Sequence, residues 1–268
     1  GGEMKVLIVR PTDVDDTLPI IFYIHGGGWV MGNEVTHDRL IRRLADEVPA
    51  AVVFPVYTPS PEAQYPQTTN DLFMVLNYIS EYGAKYNLDA TRLIVAGDSV
   101  GGNMAAVMAL MAKNNKNLPN IDFQLLFYPV TDASFDTESY HEFAEGPWLT
   151  KKAMIWFWKQ YAPDESKREE IYACPLRATT EELAGLPPAL VITDENDVLR
   201  DEGEAYAQKL SDAGVQVGAV RVNGTIHDFV MLNALADTIP TKIAIELAVR
   251  VLQDVLASLE DNDNNGEN

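Results

Sequence analysis

Short apolar runs rich in β-branched residues alternate with longer amphipathic stretches along most of the chain. The short runs predict strands at 4–9, 20–24, 51–56, 92–96, 123–128, 189–193 and 216–222. The longer stretches predict helices at 39–47, 70–82, 101–113, 201–213 and 241–259. Strands that alternate with helices are typical of βα units, so the pattern predicts an α/β fold with a mainly parallel central sheet flanked by helices.

This alternation stops between residues 133 and 185, where aromatic residues cluster and no strand pattern is evident. We interpret the stretch as a helical cap insertion in one core that is formed by 4–132 and 186–259. Most of its aromatic rings are expected to pack into the core, and the remainder to form an apolar lid over a ligand pocket. The polar, acidic residues 260–268 are predicted to be disordered.

Composition and charge exclude several classes of function. Of the 268 residues, 47% are hydrophobic, which is enough for one sizeable core. Forty acidic residues against 20 basic ones give a formal net charge of −20, which disfavours contact with nucleic acids and with anionic lipid surfaces. We read this charge as a surface that favours solubility or adaptation to salt.

The chain has a single cysteine, Cys174, so an intrachain disulfide and CxxC metal or redox sites are excluded. No run approaches the roughly 18 consecutive apolar residues of a membrane span, and the first residues lack the pattern of a secretory signal. We therefore expect a cytoplasmic protein without stable membrane insertion, unless a leader has been removed.

The sequence GDSVGG at 97–102 lies between a predicted strand and a predicted helix. This is the setting that a G-x-S-x-G turn requires, since the sharp turn exposes the serine hydroxyl and leaves no room for large side chains two positions away. Ser99 is therefore a candidate nucleophile. The alternative is an ordinary glycine-rich turn, because five residues alone are a weak signal.

A second glycine-rich sequence, HGGG at 25–28, follows another predicted strand. Consecutive glycines let the backbone approach a ligand and point N–H groups towards it, as an oxyanion hole requires. A phosphate-binding loop is the competing interpretation. It fails because neither a P-loop lysine nor the G-x-G-x-x-G spacing is present.

A serine nucleophile needs a base, and the base needs a carboxylate to orient it. Asp197 and His227 each follow a predicted strand, at the sheet edge where open α/β sheets bind ligands. The chain order Ser99, Asp197, His227 is that of α/β-hydrolases. The other histidines fit a base less well, because His25 belongs to the glycine loop, His37 begins a helix and His141 lies in the insertion.

Several acids near these candidates are assigned other roles. Asp98, beside the candidate nucleophile, is expected to form structural hydrogen bonds. The acids near Asp197 are interpreted mostly as a solvated loop and helix N-terminus, where carboxylates are favoured; they are Asp194, Glu195, Asp201 and Glu202.

Five motifs in order now resemble one family, the hormone-sensitive-lipase-like (bacterial type IV) esterases of the α/β-hydrolase fold. They are HGGG at 25–28, YTPSPE at 57–62, GDSVGG at 97–102, NDVLRDEG at 196–203 and the HDF step at 227–229. The resemblance spans nearly the whole chain. It implies that Ser99 is the nucleophile, Asp197 the acid and His227 the base, and that the N–H groups of Gly27, Gly28 and Val100 form the oxyanion hole.

The sequence departs from the family pattern at three places. Val100 replaces the usual alanine, and Asp228 replaces the glycine after the histidine, which places a carboxylate near the base. Almost nothing precedes Met4, so the N-terminal part of the cap is expected to be short or missing. We assign the substrate pocket to Trp29, Trp148, Trp156 and Phe229.

The resemblance implies a lipolytic serine carboxylesterase that acts on small, soluble short-chain esters through an acyl-enzyme and needs no metal or organic cofactor. It also implies a route to a homodimer, through an edge strand and the last helix. Two alternatives stay open. One is a ligand-binding protein on a hydrolase scaffold, as in plant gibberellin receptors that lack a complete triad, and the other is a peptidase of the same fold.

Overall fold

The computed structural model describes residues 3–115 and 120–266. Seven strands form one sheet in the order β1-β3-β2-β4-β5-β6-β7, and every neighbouring pair is parallel except the antiparallel pair β1 and β3. This confirms the predicted α/β class with its mainly parallel sheet. The strands are β1 (Lys5–Val9), β2 (Leu18–Ile24), β3 (Ala51–Val56), β4 (Leu88–Asp98), β5 (Phe123–Phe127), β6 (Ala189–Asn196) and β7 (Val217–Ile226).

Helices cover both faces of the sheet. They are α1 (Asp38–Glu47), α2 (Gln67–Tyr82), α3 (Val100–Lys113), α4 (Glu138–Glu142), α5 (Lys151–Tyr161), α6 (Thr180–Leu183), α7 (Arg200–Asp212) and α8 (Ile239–Gly266). The five helices predicted outside the insertion correspond to α1, α2, α3, α7 and α8. No helix in the described part of the chain is both long enough and apolar enough to cross a membrane.

Two hydrophobic clusters lie on opposite faces of the sheet because successive side chains of a strand point to opposite sides. In β2, Ile20, Phe22 and Ile24 belong to the cluster that includes residues of α2, α3, α5 and α7. Ile21 and Tyr23 belong to the cluster that includes residues of α1 and α8. A strand buried on both sides has no polar alternation, which explains the continuous apolar run at 20–24.

Between residues 133 and 185 the structure contains α4, α5, α6 and short 3₁₀ turns, with no strand among these described residues. The helices begin at hydrogen-bonding caps, since the Thr150 side chain accepts from the Ala153 N–H and the Thr179 side chain from the Glu182 N–H. The rings of Trp158 and Tyr161 are fully buried. The division of the chain at 133 and 185 into core and cap stays a prediction.

Some element boundaries differ from the sequence prediction. β4 begins at Leu88 rather than at residue 92, and β7 runs to Ile226 rather than to 222. Helix α8 continues to Gly266, whereas the sequence predicts disorder from residue 260; residues 267 and 268 lie outside the described part. Extending an existing helix adds one hydrogen bond per residue, so polar residues can prolong it beyond its amphipathic part.

The interior strand β5 gives a direct test of this architecture. Leu126 is fully buried, so we expect Leu126→Ala to lower the free energy of unfolding by about 2–5 kcal/mol through lost burial and a residual cavity. Val220 on the edge strand β7 is 38% exposed, and Val220→Ala should cost less than about 1 kcal/mol. Urea unfolding followed by circular dichroism measures both; equal losses would contradict the arrangement of strands.

Candidate active site

Ser99 lies at the sharp turn between β4 and α3. Its backbone has φ 56° and ψ −121°, a conformation that is rare for a residue with a side chain. Backbone hydrogen bonds fix the turn: the Ser99 N–H donates to the Phe127 carbonyl (2.9 Å), and the Ser99 carbonyl accepts from the N–H groups of Asn103 (3.1 Å) and Val130 (3.2 Å). The glycines beside it are required by space, because a Cβ at Gly101 would overlap the carbonyl oxygen of Ile24.

The structure brings the three candidate catalytic side chains together. Nε2 of His227 lies 2.9 Å from Ser99 Oγ, and Nδ1 of His227 lies 2.7 Å from Oδ2 of Asp197. Asp197 is fully buried, and its Oδ1 accepts a further hydrogen bond from the Leu199 N–H (3.0 Å). Because the carboxylate only accepts, Nδ1 of His227 carries a proton, and above the pKa of the ring Nε2 is unprotonated and can accept from the serine hydroxyl. This is the arrangement of a nucleophile, a base and an orienting acid.

The surrounding charges make His227 a stronger base than a free histidine. Burial alone lowers the pKa of His227, but the carboxylates of Asp197 and Asp228 and the hydrogen bond to Asp197 raise it to about 9. Asp228 contributes because its Oδ1 lies 3.4 Å from Nε2. The sequence pointed to this carboxylate as a departure from the family pattern.

The glycine loop at 25–28 adopts conformations that suit glycine. Gly27 and Gly28 have φ of 116° and 63°, and a Cβ at Gly28 would overlap the ring of Phe157 on α5. The Gly27 carbonyl accepts from the N–H groups of Val30 (3.2 Å) and Met31 (2.8 Å), which close the loop on itself. Val100 is the first residue of α3, where backbone N–H groups have no intrahelical partner. The oxyanion-hole assignment of Gly27, Gly28 and Val100 stays a prediction.

A buried polar cluster ties this loop to the nucleophile turn. The carboxylate of Asp98 accepts from the Tyr23 hydroxyl (2.7 Å) and the Gly26 N–H (3.1 Å), and its Oδ2 lies 3.1 Å from Nε2 of His37. Burial alone would raise the pKa of Asp98, but the charge of His37 and these hydrogen bonds lower it. Asp98 therefore has the structural role that the sequence predicts. Its pairing with His37 carried no signal, because 61 residues separate the two along the chain.

His25 also stabilises the glycine loop, as the sequence predicts. Its Nδ1 lies 2.7 Å from the Gly26 carbonyl, and its ring stacks on Tyr57 with ring centroids 4.2 Å apart. Burial, together with the nearby His37, lowers the pKa of His25 to about 4. The ring is therefore neutral at pH 7 and donates from Nδ1.

The four residues assigned to a substrate pocket separate into two groups. Trp29 and Phe229 are buried, and Trp29 stacks on Tyr161 with ring centroids 4.1 Å apart, so in this structure both pack beneath the surface rather than face an open cavity. Trp148 and Trp156 remain 61% and 49% exposed.

Trp148 also connects the insertion to the candidate base. Its Nε1 donates to Oδ2 of Asp228 (3.0 Å), and Asp228 has φ 68°, the left-handed region that glycine occupies most easily. A carboxylate that contacts both the base and the insertion thus lies at the position where the resemblance implies glycine. No pattern in the sequence indicates the contact with Trp148.

The interpretation of the acids near Asp197 as mostly solvated is wrong for two of them. Asp194 and Glu202 are fully buried. Oε1 of Glu202 accepts from the N–H groups of Thr131 (2.7 Å) and Asp132 (3.2 Å). Both sides of β6 are buried as far as Asp194. From the sequence, however, a polar residue at the end of an apolar run looks like the start of a solvated loop.

One group among the described residues has the spacing of metal ligands. Asp194, Asp197 and His227 each offer an atom within 4.8 Å of the others. The hydrogen bond between His227 and Asp197 already uses the nitrogen that a metal would need. The arrangement is therefore that of an acid-base pair rather than of a metal centre.

Comparison with known proteins finds a matching family model and several similar proteins. A family model described as the alpha/beta hydrolase fold matches residues 21–231. The crystal structure of a thermostable esterase from Pseudomonas putida is 52% identical, with a TM-score of 0.93 over 96% of this chain and 80% of that chain. The carboxylesterase NlhH of Mycobacterium tuberculosis is 37% identical over 85% of this chain and 72% of its own length. An ethyl acetate hydrolase of Pseudomonas putida is 32% identical over 88% of this chain and 74% of its own length.

The electrostatics of His227 can be tested without substrate. We expect the ring to titrate at about pH 9, and to titrate at least about one unit lower in Asp197→Asn because the nearest opposite charge is lost. Proton NMR of the histidine ring signals measures both. His25, which should stay neutral above about pH 4, serves as the internal reference. A wild-type His227 that titrates at or below 6.5 would contradict the geometry.

Proposed function

Because this chain belongs to the hormone-sensitive-lipase-like branch of the alpha/beta hydrolase fold family, we propose that it is a serine carboxylesterase that uses Ser99, His227 and Asp197. The observation that carries the proposal is the continuous hydrogen-bonded series from Ser99 Oγ through His227 to Asp197, with distances of 2.9 and 2.7 Å. The matched relatives named as esterases give independent support.

In the proposed first step, Ser99 Oγ attacks the carbonyl carbon of the ester while Nε2 of His227 takes the hydroxyl proton. The tetrahedral intermediate collapses, its bond to the alcohol oxygen breaks, and His227 returns the proton to the leaving alcohol. In the second step, water attacks the acyl-enzyme and gives a proton to His227, which passes it back to Ser99 as the carboxylic acid leaves. Asp197 stabilises the imidazolium in both steps and is not itself protonated.

The backbone N–H groups of Gly27, Gly28 and Val100 would hold the oxyanion that forms in both steps. The sharp turn supports this assignment, because it places the first N–H groups of α3 directly after Ser99. The hydrogen bond from the Gly26 N–H to Asp98 supports it as well, because it links the glycine loop to the residue before Ser99. Preorganised donors of this kind avoid reorganisation during the reaction.

We also propose that the substrates are small, soluble esters with short acyl chains. The glycine loop is closed on one side by Phe157, whose ring fills the space that a Cβ at Gly28 would need. The half-exposed rings of Trp148 and Trp156 offer a limited apolar surface for an acyl group. The relative named as an ethyl acetate hydrolase is consistent with this size class.

The role of Ser99 is tested by Ser99→Ala. We expect kcat/KM for p-nitrophenyl acetate to fall by roughly 10⁴- to 10⁶-fold, because the nucleophile is lost while the fold is kept. Ser258→Ala, at an exposed position of α8, is the matched control and should keep the wild-type rate. Equal rates in wild type and Ser99→Ala would overturn the role of Ser99, and equal rates no higher than the uncatalysed rate would leave a ligand-binding protein as the better interpretation.

The size class of the substrate is tested with p-nitrophenyl esters of increasing acyl length. We expect kcat/KM to be highest for acetate to butyrate and to fall steadily for longer chains, because the space beside Gly28 is limited by Phe157. Phe157→Ala, which removes that ring, should move the preference towards longer chains. A wild-type enzyme that cleaves long-chain esters best would overturn the proposed size class.

A further inference from the structure

A second buried carboxyl group lies beside the proposed triad. Asp194 is in β6, three residues before Asp197, and its side chain has no exposed surface. Neither of its carboxyl oxygens receives a hydrogen bond from an N–H or O–H donor in the described part of the chain. An ionised carboxylate without a partner would be costly at such a position.

The groups that face Asp194 explain how this cost is avoided. One of its carboxyl oxygens lies within 4.8 Å of a carboxyl oxygen of Asp197, and its Oδ2 lies 3.9 Å from Nδ1 of His227. Asp228, after β7, and the buried hydroxyl of Tyr128, after β5, also interact electrostatically with Asp194. None of these is a lysine or arginine. Among these groups only His227 can become a cation, and its Nδ1 proton is already donated to Asp197, so a negative charge on Asp194 would have no donor of its own and Asp194 holds a proton.

The hydrogen bonds identify which of the two carries the charge. Asp197 accepts from Nδ1 of His227 at 2.7 Å and from the Leu199 N–H at 3.0 Å, and both bonds stabilise its ionised form. Asp194 has no such donors. Burial and the neighbouring Asp197 also raise the pKa of Asp194 well above its ordinary value. The charge therefore resides on Asp197 and the proton on Asp194.

We propose that Asp194 is a protonated positioning residue that donates its carboxyl O–H to Asp197 and thereby sets the basicity of His227. The inference rests on the proposed function of this same site. The proposal adds a fourth group to the series of Ser99, His227 and Asp197. This group, Asp194, is a neutral acid that does not contact the substrate.

The donated hydrogen bond changes the pKa of His227 in a definite direction. It spreads the negative charge of Asp197, so Asp197 attracts the imidazolium less strongly and the pKa of His227 is lower than it would be without the donor. An ionised Asp194 would act in the opposite direction, because a second negative charge 3.9 Å from Nδ1 would raise that pKa. The two protonation states of Asp194 therefore predict opposite effects of substitution.

Two variants separate these cases. Asp194→Asn keeps a neutral side chain with N–H donors, whereas Asp194→Val has a similar shape and no donor. We expect the titration midpoint of His227, followed by NMR of its ring, to change by less than about half a unit in Asp194→Asn and to rise by about one unit in Asp194→Val. The pH profile of kcat/KM should shift in the same directions. Asp197→Asn, which removes the charge itself, is the control for a lowered midpoint.

The other outcomes overturn the proposal. A midpoint that falls by about one unit in Asp194→Asn would show that Asp194 is ionised. An unchanged midpoint in Asp194→Val, with only a lower melting temperature, would show a packing role alone. If Asp194→Val does not fold, infrared difference spectra decide, because a protonated acid and a carboxylate absorb at different frequencies. A protonated-acid band that is lost in Asp194→Asn supports the proposal, and its absence in the wild type contradicts it.

The ring titration and the infrared measurement do not require turnover, so they remain informative if Ser99→Ala shows that the protein is not an esterase. In that case these measurements would still decide whether Asp194 is protonated, and only the consequence for catalysis would be lost.

Discussion

The candidate site depends on one buried interaction, the 2.7 Å hydrogen bond between Nδ1 of His227 and the carboxylate of Asp197. In the neutral ring it fixes the tautomer, so Nε2 faces Ser99 Oγ as an acceptor. It also keeps a carboxylate charged at a position without solvent, because the imidazole and the Leu199 N–H replace water. The sheet makes the interaction possible, since β4, β6 and β7 are parallel and their carboxyl ends lie at one edge.

Buried acids in this strongly acidic chain are stabilised in different ways. Asp98 is ionised, with His37 and hydrogen-bond donors around it. Glu202 receives two backbone N–H groups at one oxygen, although burial raises its pKa. Asp194 has no donor, and a proton of its own is the remaining way to avoid an isolated charge. Each carboxyl group near the site is therefore defined by its neighbours rather than by the net charge of the protein.

The insertion contacts the site at two points. Phe157 occupies the space against Gly28, and Trp148 donates to Asp228, which lies beside His227. The first contact is steric and requires glycine in the loop. The second is polar and places a negative group close to the base, which contributes to the raised pKa of His227. A segment that is separate in the sequence thus influences both the shape and the electrostatics around Ser99.

The sequence alone determined the strands, the special glycine positions and the three candidate catalytic residues. Apolar runs fixed the strands because both faces of a parallel sheet are buried, and the glycines around Ser99 and at 25–28 marked positions where a Cβ would meet backbone or a ring. Motif order selected Ser99, Asp197 and His227 among many acids and four histidines.

Only the tertiary structure decided what depends on contact between distant segments. It paired Asp98 with His37, joined Trp148 to Asp228, buried Trp29 and Phe229, and placed Asp194 against Asp197 rather than in solvent. The physical reason is that periodicity reports which side of a strand or helix is buried. The charge state of a buried polar group is set instead by neighbours that folding brings from elsewhere in the chain.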